Sequence, residues 1–210
     1  MEISNLFSIE GKVALVTGGG SGIGTMATEA LVRAGCKVYI ASRRLESCEA
    51  VAAELNAVGP GKVIALQADL KTEEGTAHLA KAMAAHEDKL DILVNNSGMT
   101  WGAPFEEFPR SKWDEVFTLN VTAVADLTRR LLPMLRKSAT ASDPARIVNL
   151  GSVVGTRPVS NTAYSYGASK AAVHHLTRML SNELGSDNIT VNAIAPGPFP
   201  SRMMAHITSD

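Results

Sequence analysis

The sequence predicts an α/β fold: one doubly wound domain over residues 1–210, built on a parallel sheet of six strands. Three observations point there. Six short β-branched apolar runs alternate with longer stretches of helical periodicity. The runs are apolar throughout rather than alternating, as strands buried on both faces are. A glycine-rich turn follows the first of them.

The first strand is "KVALVT", 12–17. It leads into "TGGGSGIGTMA", with Gly18, Gly22 and Gly24 at spacing G-x3-G-x-G and the literal dinucleotide fingerprint Gly22-x-Gly24-x-x-Ala27. A turn that leaves a strand and enters a helix needs residues without Cβ, to reach unusual dihedrals and to let backbone N–H groups approach a pyrophosphate. Placed between a strand and a helix over 22–34, this motif predicts a dinucleotide-binding, Rossmann-type domain.

The second strand, "KVYIAS" at 37–42, ends where an NAD-binding domain usually carries an acidic residue for the ribose 2′-hydroxyl. Here the chain reads Ser42-Arg43-Arg44, and Glu46 is the first acid. Two guanidiniums suit a 2′-phosphate, which favours NADP(H) over NAD(H). Otherwise they decorate the start of the helix predicted over 44–58. The strand "KVIALQA", 62–68, follows the turn Gly59-Pro60-Gly61 and precedes a helix over 72–89.

The fourth strand is "DILVNN", 91–96, and Trp101 lies beyond it, as a pocket wall or as loop packing. A helix is predicted over 111–137, with a kink or an end near Pro133. The polar connection "SATASDPA", 138–145, is too short for an interdomain linker. The fifth strand, "RIVNLG" at 146–151, presents Ser152 at its carboxyl end, where ligands bind in an open α/β sheet. A hydroxyl there can donate to a carbonyl oxygen as charge develops, or simply serve the turn.

The helix over 164–185 opens with "YSYGASK". A phenol is a poor base near neutral pH unless a nearby cation lowers its pKa, and a lysine at i+4 lies on the same helix face. Tyr166 and Lys170 have that spacing, whereas Tyr164 has Ala168 at the same offset. "ITVNAIA", 189–195, is the sixth strand, and the strand order of such a fold is 3-2-1-4-5-6.

Lys and Arg total 20 against 21 Asp and Glu, so the net charge of −1 builds no field for nucleic acid or an anionic membrane. Partners should be small molecules. No apolar run approaches the ~20 residues of a membrane span, and the N-terminus lacks the basic start and apolar run of a signal peptide. Cys36 and Cys48 form no framework or metal motif, which predicts a reducing, cytoplasmic setting. The five histidines show no ligand spacing; adjacent His174 and His175 diverge on a helix and are expected on a partly solvated face.

Assembled in order, "TGGGSGIG" 17–24, "NNSG" 95–98, "LNV" 119–121, "GS" 151–152, "YGASK" 166–170 and "PG" 196–197 resemble the short-chain dehydrogenase/reductase family from about Lys12 to Ser201. The resemblance implies Tyr166 as general acid/base, Lys170 lowering its pKa and binding the nicotinamide ribose, Ser152 polarising the carbonyl, and Asn120 holding a water. It implies cofactor contacts from Thr17, Gly18, Gly22, Ile23 and Gly24. Asp69 and Leu70 fall near the adenine, and Asn96, Ser97 and Gly98 along the adenosine ribose. Pro196, Gly197, Phe199 and Ser201 fall near the nicotinamide. Without it, Asn120 reads as a solvated helix residue and Asp69 as the cap of a helix starting near Lys71.

The family is typically longer, with a substrate-lid helix and a seventh strand after "PGPFPSRM". The expectation is therefore a C-terminally truncated domain with 189–195 as an exposed edge. The resemblance implies a homodimer or homotetramer and an NADPH-dependent reduction of a carbonyl, or the reverse alcohol oxidation. The "PGPFPSRM" segment is similar to that of reductases of 3-oxoacyl thioesters. A non-catalytic NADP(H)-binding protein without a complete pocket is the alternative.

Overall fold

The computed structural model describes residues 7–158 and 162–198. Its strands are β1 (Val13–Thr17), β2 (Lys37–Ser42), β3 (Lys62–Gln67), β4 (Ile92–Asn95), β5 (Ala145–Leu150) and β6 (Ile189–Ile194). The helices are α1 (Gly22–Arg33), α2 (Leu45–Leu55), α3 (Glu73–His86), α4 (Arg110–Phe117), α5 (Ala123–Ser138) and α6 (Tyr164–Leu184). The sheet runs β3-β2-β1-β4-β5-β6, parallel at every pairing, which is the expected order.

Alternate residues of each strand feed two cores, which is why the strands are apolar throughout. Leu15, Tyr39, Leu93 and Ile147 pack with Leu79, Met83, Leu127, Leu131 and Leu135 on the face covered by α3 and α5. Val16, Ile40, Val63 and Val94 pack with Val32, Cys36, Cys48 and Leu55 on the face covered by α1 and α2. With the chain reversing between β1 and β4, the strand ends open a crevice where the sheet order switches direction.

Several boundaries differ from the expectation, each for a physical reason. The helix expected to reach residue 58 ends at Leu55, because the Asn56 amide takes both backbone groups of Val63, accepting at 2.8 Å and donating at 3.1 Å. The third helix ends at His86, with Glu87 extended and its carboxylate accepting from the Tyr39 hydroxyl at 2.6 Å. The helix expected over 111–137 is interrupted by a π-helical turn, Thr118–Thr122, and then runs on to Ser138. Pro133 sits on its exposed face, where a missing N–H can be made good by water at the carbonyl it would have served.

β6 pairs only with β5 among the described residues. Asn192, Ala193 and Ile194 are exposed along it, Ile194 to 53 %.

Candidate active site

The turn after β1 is shaped by two glycines in particular. Gly18 has φ +68°, and a Cβ on Gly24 would stand 2.2 Å from the Gly18 carbonyl oxygen, so α1 can approach that turn only as glycine. Ser21, the residue before α1, makes no side-chain cap, and the first turn of α1 holds no acid. The orphan N–H groups of that helix end are therefore left for an outside acceptor. Ile23 packs its side chain against the core behind the sheet, so only its backbone faces the turn.

Thr17 ties this turn to the fourth strand. Its hydroxyl accepts from the N–H groups of Asn96 and Ser97, both at 3.0 Å, and donates to Val94 O at 3.4 Å. Asn96 returns the link by donating its amide to Thr17 O at 2.9 Å. The side chain of Asn96 thus braces the glycine turn, while the backbone from Ser97 to Gly98 runs along the crevice. Asn95 points inward, donating to Thr128 Oγ1 at 3.1 Å and Asn149 Oδ1 at 2.9 Å.

Arg43 and Arg44 are exposed just past β2, and among the described residues neither guanidinium pairs with a carboxylate. The local bonds there are backbone ones, from Gln67 Nε2 to Arg43 O and from Ser42 Oγ to Arg44 O. Asp69 is exposed and its carboxylate accepts from Lys71 N at 3.0 Å. It is not the helix cap: Thr72 caps α3 by accepting from Gly75 N at 3.0 Å. Leu70 is buried in the core, so any ligand contact there comes from its backbone.

Ser152, Tyr166, Lys170 and Asn120 converge. Ser152 lies two residues past β5, where its hydroxyl accepts from Val154 N at 3.4 Å and is near enough to the Tyr166 phenol to favour its charged form. Lys170 is 5 % exposed, donates to Leu150 O at 2.5 Å, and lies 5.6 Å from the centre of the Tyr166 ring. A Cβ placed on Gly98 would stand 3.3 Å from Asn120 Oδ1 and 3.7 Å from Lys170 Nζ, which sets the crevice floor beside all three. Pro196 joins the same corner, since Val153 N donates to its carbonyl at 3.1 Å; Gly197 is exposed beside it. Phe199 and Ser201 lie outside the described residues.

Two expectations change here. Asn120 is 1 % exposed rather than solvated; it accepts from Met99 N at 2.8 Å and donates to Met99 O at 2.9 Å and Ser169 Oγ at 3.0 Å. Both its N–H groups are taken, and its oxygen already accepts one bond. The Tyr166 pKa is raised rather than lowered: burial pushes it up, and the nearby Ser152 hydroxyl offsets only part. The Lys170 ammonium is held by Leu150 O, and burial lowers the Lys170 pKa itself to about 8.

Tyr164 belongs to an aromatic wall instead. Its ring meets Phe105 at 5.0 Å and Phe108 at 5.7 Å, and Trp101 packs edge-on to Phe108 at 4.8 Å. Phe105 is 65 % exposed. Trp101 thus packs the loop, as one of its two expected roles has it.

Sequence reasoning missed His174. His175 is exposed and contacts Arg178, as expected for a solvated face, but His174 turns inward and accepts from Ser152 N at 3.2 Å through Nε2. The available signal was its place at i+4 from Lys170 and i+8 from Tyr166, on one helix face. Among the described residues no cluster suits a metal ion, and no helix is long and apolar enough to cross a membrane.

Comparison with known proteins gives a concordant result. The short chain dehydrogenase family pattern matches residues 12–210. A rhamnolipids biosynthesis 3-oxoacyl-[acyl-carrier-protein] reductase of Pseudomonas aeruginosa is 50 % identical over 204 residues, 97 % of this chain and 79 % of that protein. A 2-dehydro-3-deoxy-D-gluconate 5-dehydrogenase of Dickeya dadantii is 34 % identical over 208 residues, 99 % of this chain and 79 % of that protein. Among solved structures, the Pseudomonas aeruginosa RhlG/NADP active-site complex superposes with a TM-score of 0.93 at 49 % identity, covering 98 % of this chain and 79 % of that one. L-sorbose reductase of Gluconobacter frateurii, complexed with NADPH and L-sorbose, superposes with a TM-score of 0.89 at 28 % identity, covering 95 % and 74 %.

Proposed function

The chain belongs to the short-chain dehydrogenase/reductase family, and from that premise we propose that it reduces the carbonyl of a 3-oxoacyl thioester with NADPH, Tyr166 donating the proton. The observation that carries the reading is the convergence of Ser152, Tyr166 and Lys170 at the carboxyl end of β5, against the floor formed by Gly98 and Asn120.

The residues present fit the dinucleotide. Gly18 and Gly24 leave a cradle that a Cβ would fill, and the uncapped start of α1 offers N–H groups to a pyrophosphate. Arg43 and Arg44 are placed for a 2′-phosphate, and Ser42 brings no charge to repel it. Asp69 offers a carboxylate oxygen near the adenine end. When bound, NADPH supplies the hydride. The NADP and NADPH complexes among the similar structures support this choice.

The protein's own part is proton transfer and positioning. The raised Tyr166 pKa keeps the phenol protonated near neutral pH, which suits donation to a carbonyl oxygen that is gaining charge. Ser152 can donate to the same oxygen, acting where charge develops. Lys170, largely cationic below about pH 8, stabilises the phenolate left behind and is close enough to the crevice floor to hold a ribose hydroxyl. The similarity to a 3-oxoacyl reductase and the exposed aromatic wall both support a substrate with an apolar chain.

The test is NADPH oxidation with 3-oxoacyl thioesters and a panel of other carbonyls, wild type against Tyr166→Phe. The expected result is a loss of kcat of about 10²- to 10⁴-fold with NADPH binding retained. Cofactor binding without turnover in either protein would replace this reading with the non-catalytic one.

A further inference from the structure

We infer that His174 is a positioning residue for Ser152, a neutral imidazole whose Nε2 lone pair fixes the backbone that carries the hydroxyl next to Tyr166. This rests on the hydride-transfer reading above. It adds a residue to that site and a condition on its protonation.

Three consecutive amides leave the end of β5, and each has a separate acceptor. Gly151 N donates to Ile194 O at 2.8 Å, Ser152 N to His174 Nε2 at 3.2 Å, and Val153 N to Pro196 O at 3.1 Å. The outer two acceptors are peptide carbonyls and keep their lone pairs at any ordinary pH. The middle one is an imidazole nitrogen, which a single proton converts from acceptor to donor.

The ring is packed tightly enough to hold that geometry. A Cβ on Gly151 would stand 1.9 Å from His174 Nε2 and 2.3 Å from Cδ2, so residue 151 has to be glycine for the imidazole to reach the next amide. Tyr166, Lys170 and His174 occupy positions i, i+4 and i+8 of α6, which puts the proposed acid, the ammonium and the ring on one face.

The charges around the ring favour the accepting form. On α6 the groups facing it are Lys170 and Arg178, both positive; from β6 and the turn after Ser152, the neighbours Asn192, Ala193 and Thr156 carry no charge. Burial, then Lys170, then Arg178 hold the His174 pKa below the usual histidine value. With Ser152 N–H already directed at Nε2, the neutral ring carries its proton on Nδ1. Protonation would set donor against donor and release Ser152.

Imidazole nitrogen NMR on the full chain reads this without any turnover. The expected spectrum shows His174 with Nδ1 protonated at pH 7, titrating below the ordinary histidine range, and the Ser152 amide moving with the same midpoint. Kinetics then use His174→Gln, whose carboxamide oxygen accepts but does not titrate, and His174→Leu, which has bulk and no acceptor. The expected loss of kcat in His174→Leu is about fivefold to tenfold at pH 7.5, with the KM for NADPH changed by less than about twofold. His174→Gln should restore most of the rate and lack the acid-side decline expected of wild type. A proton on Nε2 at pH 7, a wild-type rate in His174→Leu, or an unchanged acid-side decline in His174→Gln would each overturn the inference. If His174→Leu does not fold, the spectrum and the glutamine variant decide. If wild type reduces no carbonyl although the spectrum is as expected, the functional reading fails and the His174–Ser152 bond stands.

Discussion

Replacing Thr17 with valine would separate the nucleotide side of the crevice from the strand beside it. Valine matches threonine in shape, so β1 keeps its packing, and the loss is confined to the hydroxyl. That hydroxyl is 1 % exposed and is the acceptor for both Asn96 N and Ser97 N at 3.0 Å. Asn96 N keeps a second acceptor, Val94 O at 3.1 Å, but Ser97 N is left without a partner, at about 1–3 kcal/mol if it stays dry. Ser97 is only half-buried, so water can reach it in part, and the loss should fall near the lower end, about 1–2 kcal/mol. For a chain of this length that corresponds to a fall in Tm of about 2–8 °C by differential scanning calorimetry. Because the freed segment runs on to Gly98 along the crevice, the thermal stabilisation given by NADPH should shrink as well. Thr17→Ser restores the acceptor and should recover most of both. A Tm for Thr17→Val within about 1 °C of wild type, or a serine variant as damaged as the valine one, would refute the reasoning.

Two other expectations follow from exposed and paired charges. Arg43→Ala should weaken NADPH binding by about tenfold while leaving NADH binding nearly unchanged, read by fluorescence titration, and equal losses for both cofactors would remove the phosphate-binding role of that guanidinium. Asp126 sits between α3 and α5. Burial opposes its charge, but hydrogen bonds from Arg130, Thr76 and Arg129 prevail and hold its pKa down to about 2. A native pKa below the unfolded value of 3.8 adds stability above that value and loses it as pH falls toward about 2. Asp126→Asn should therefore flatten the decline of Tm between pH 4 and pH 2, by the same roughly placed window, and an unchanged decline would assign it to other carboxylates.

The strands were legible because a doubly buried strand has no polar face, and runs such as "KVALVT" and "KVYIAS" allow no other placement. The Tyr166–Lys170 pair was legible because helical spacing alone puts them on one face. The π turn at Thr118–Thr122 left no such trace: one extra residue in a helix does not disturb apolar periodicity over so short a span, whereas Pro133, the conspicuous residue, is harmless on an exposed face. The early end of α2 depends on Asn56 reaching Val63 across a turn, a long-range bond that local propensity cannot register. The direction of the Tyr166 pKa was missed for a related reason. Spacing places Lys170 nearby, but only the fold shows that the phenol is buried deeply enough for burial to prevail.

Beneath the crevice, Asn95 of β4 donates to Thr128 of α5 and Asn149 of β5, and Asn149 donates to Thr177 of α6 at 3.0 Å. All four residues are 5 % exposed or less. A sheet of apolar strands could otherwise slide by two residues and still bury its side chains, since valine for isoleucine is a small error. With this polar thread in place, a slipped register would strand several amide and hydroxyl groups in a dry interior. The thread thus acts as a proofreading mark for assembly. It also sets a rule for redesign: replacing one member alone leaves its partners unpaired, so the four are better exchanged as a set.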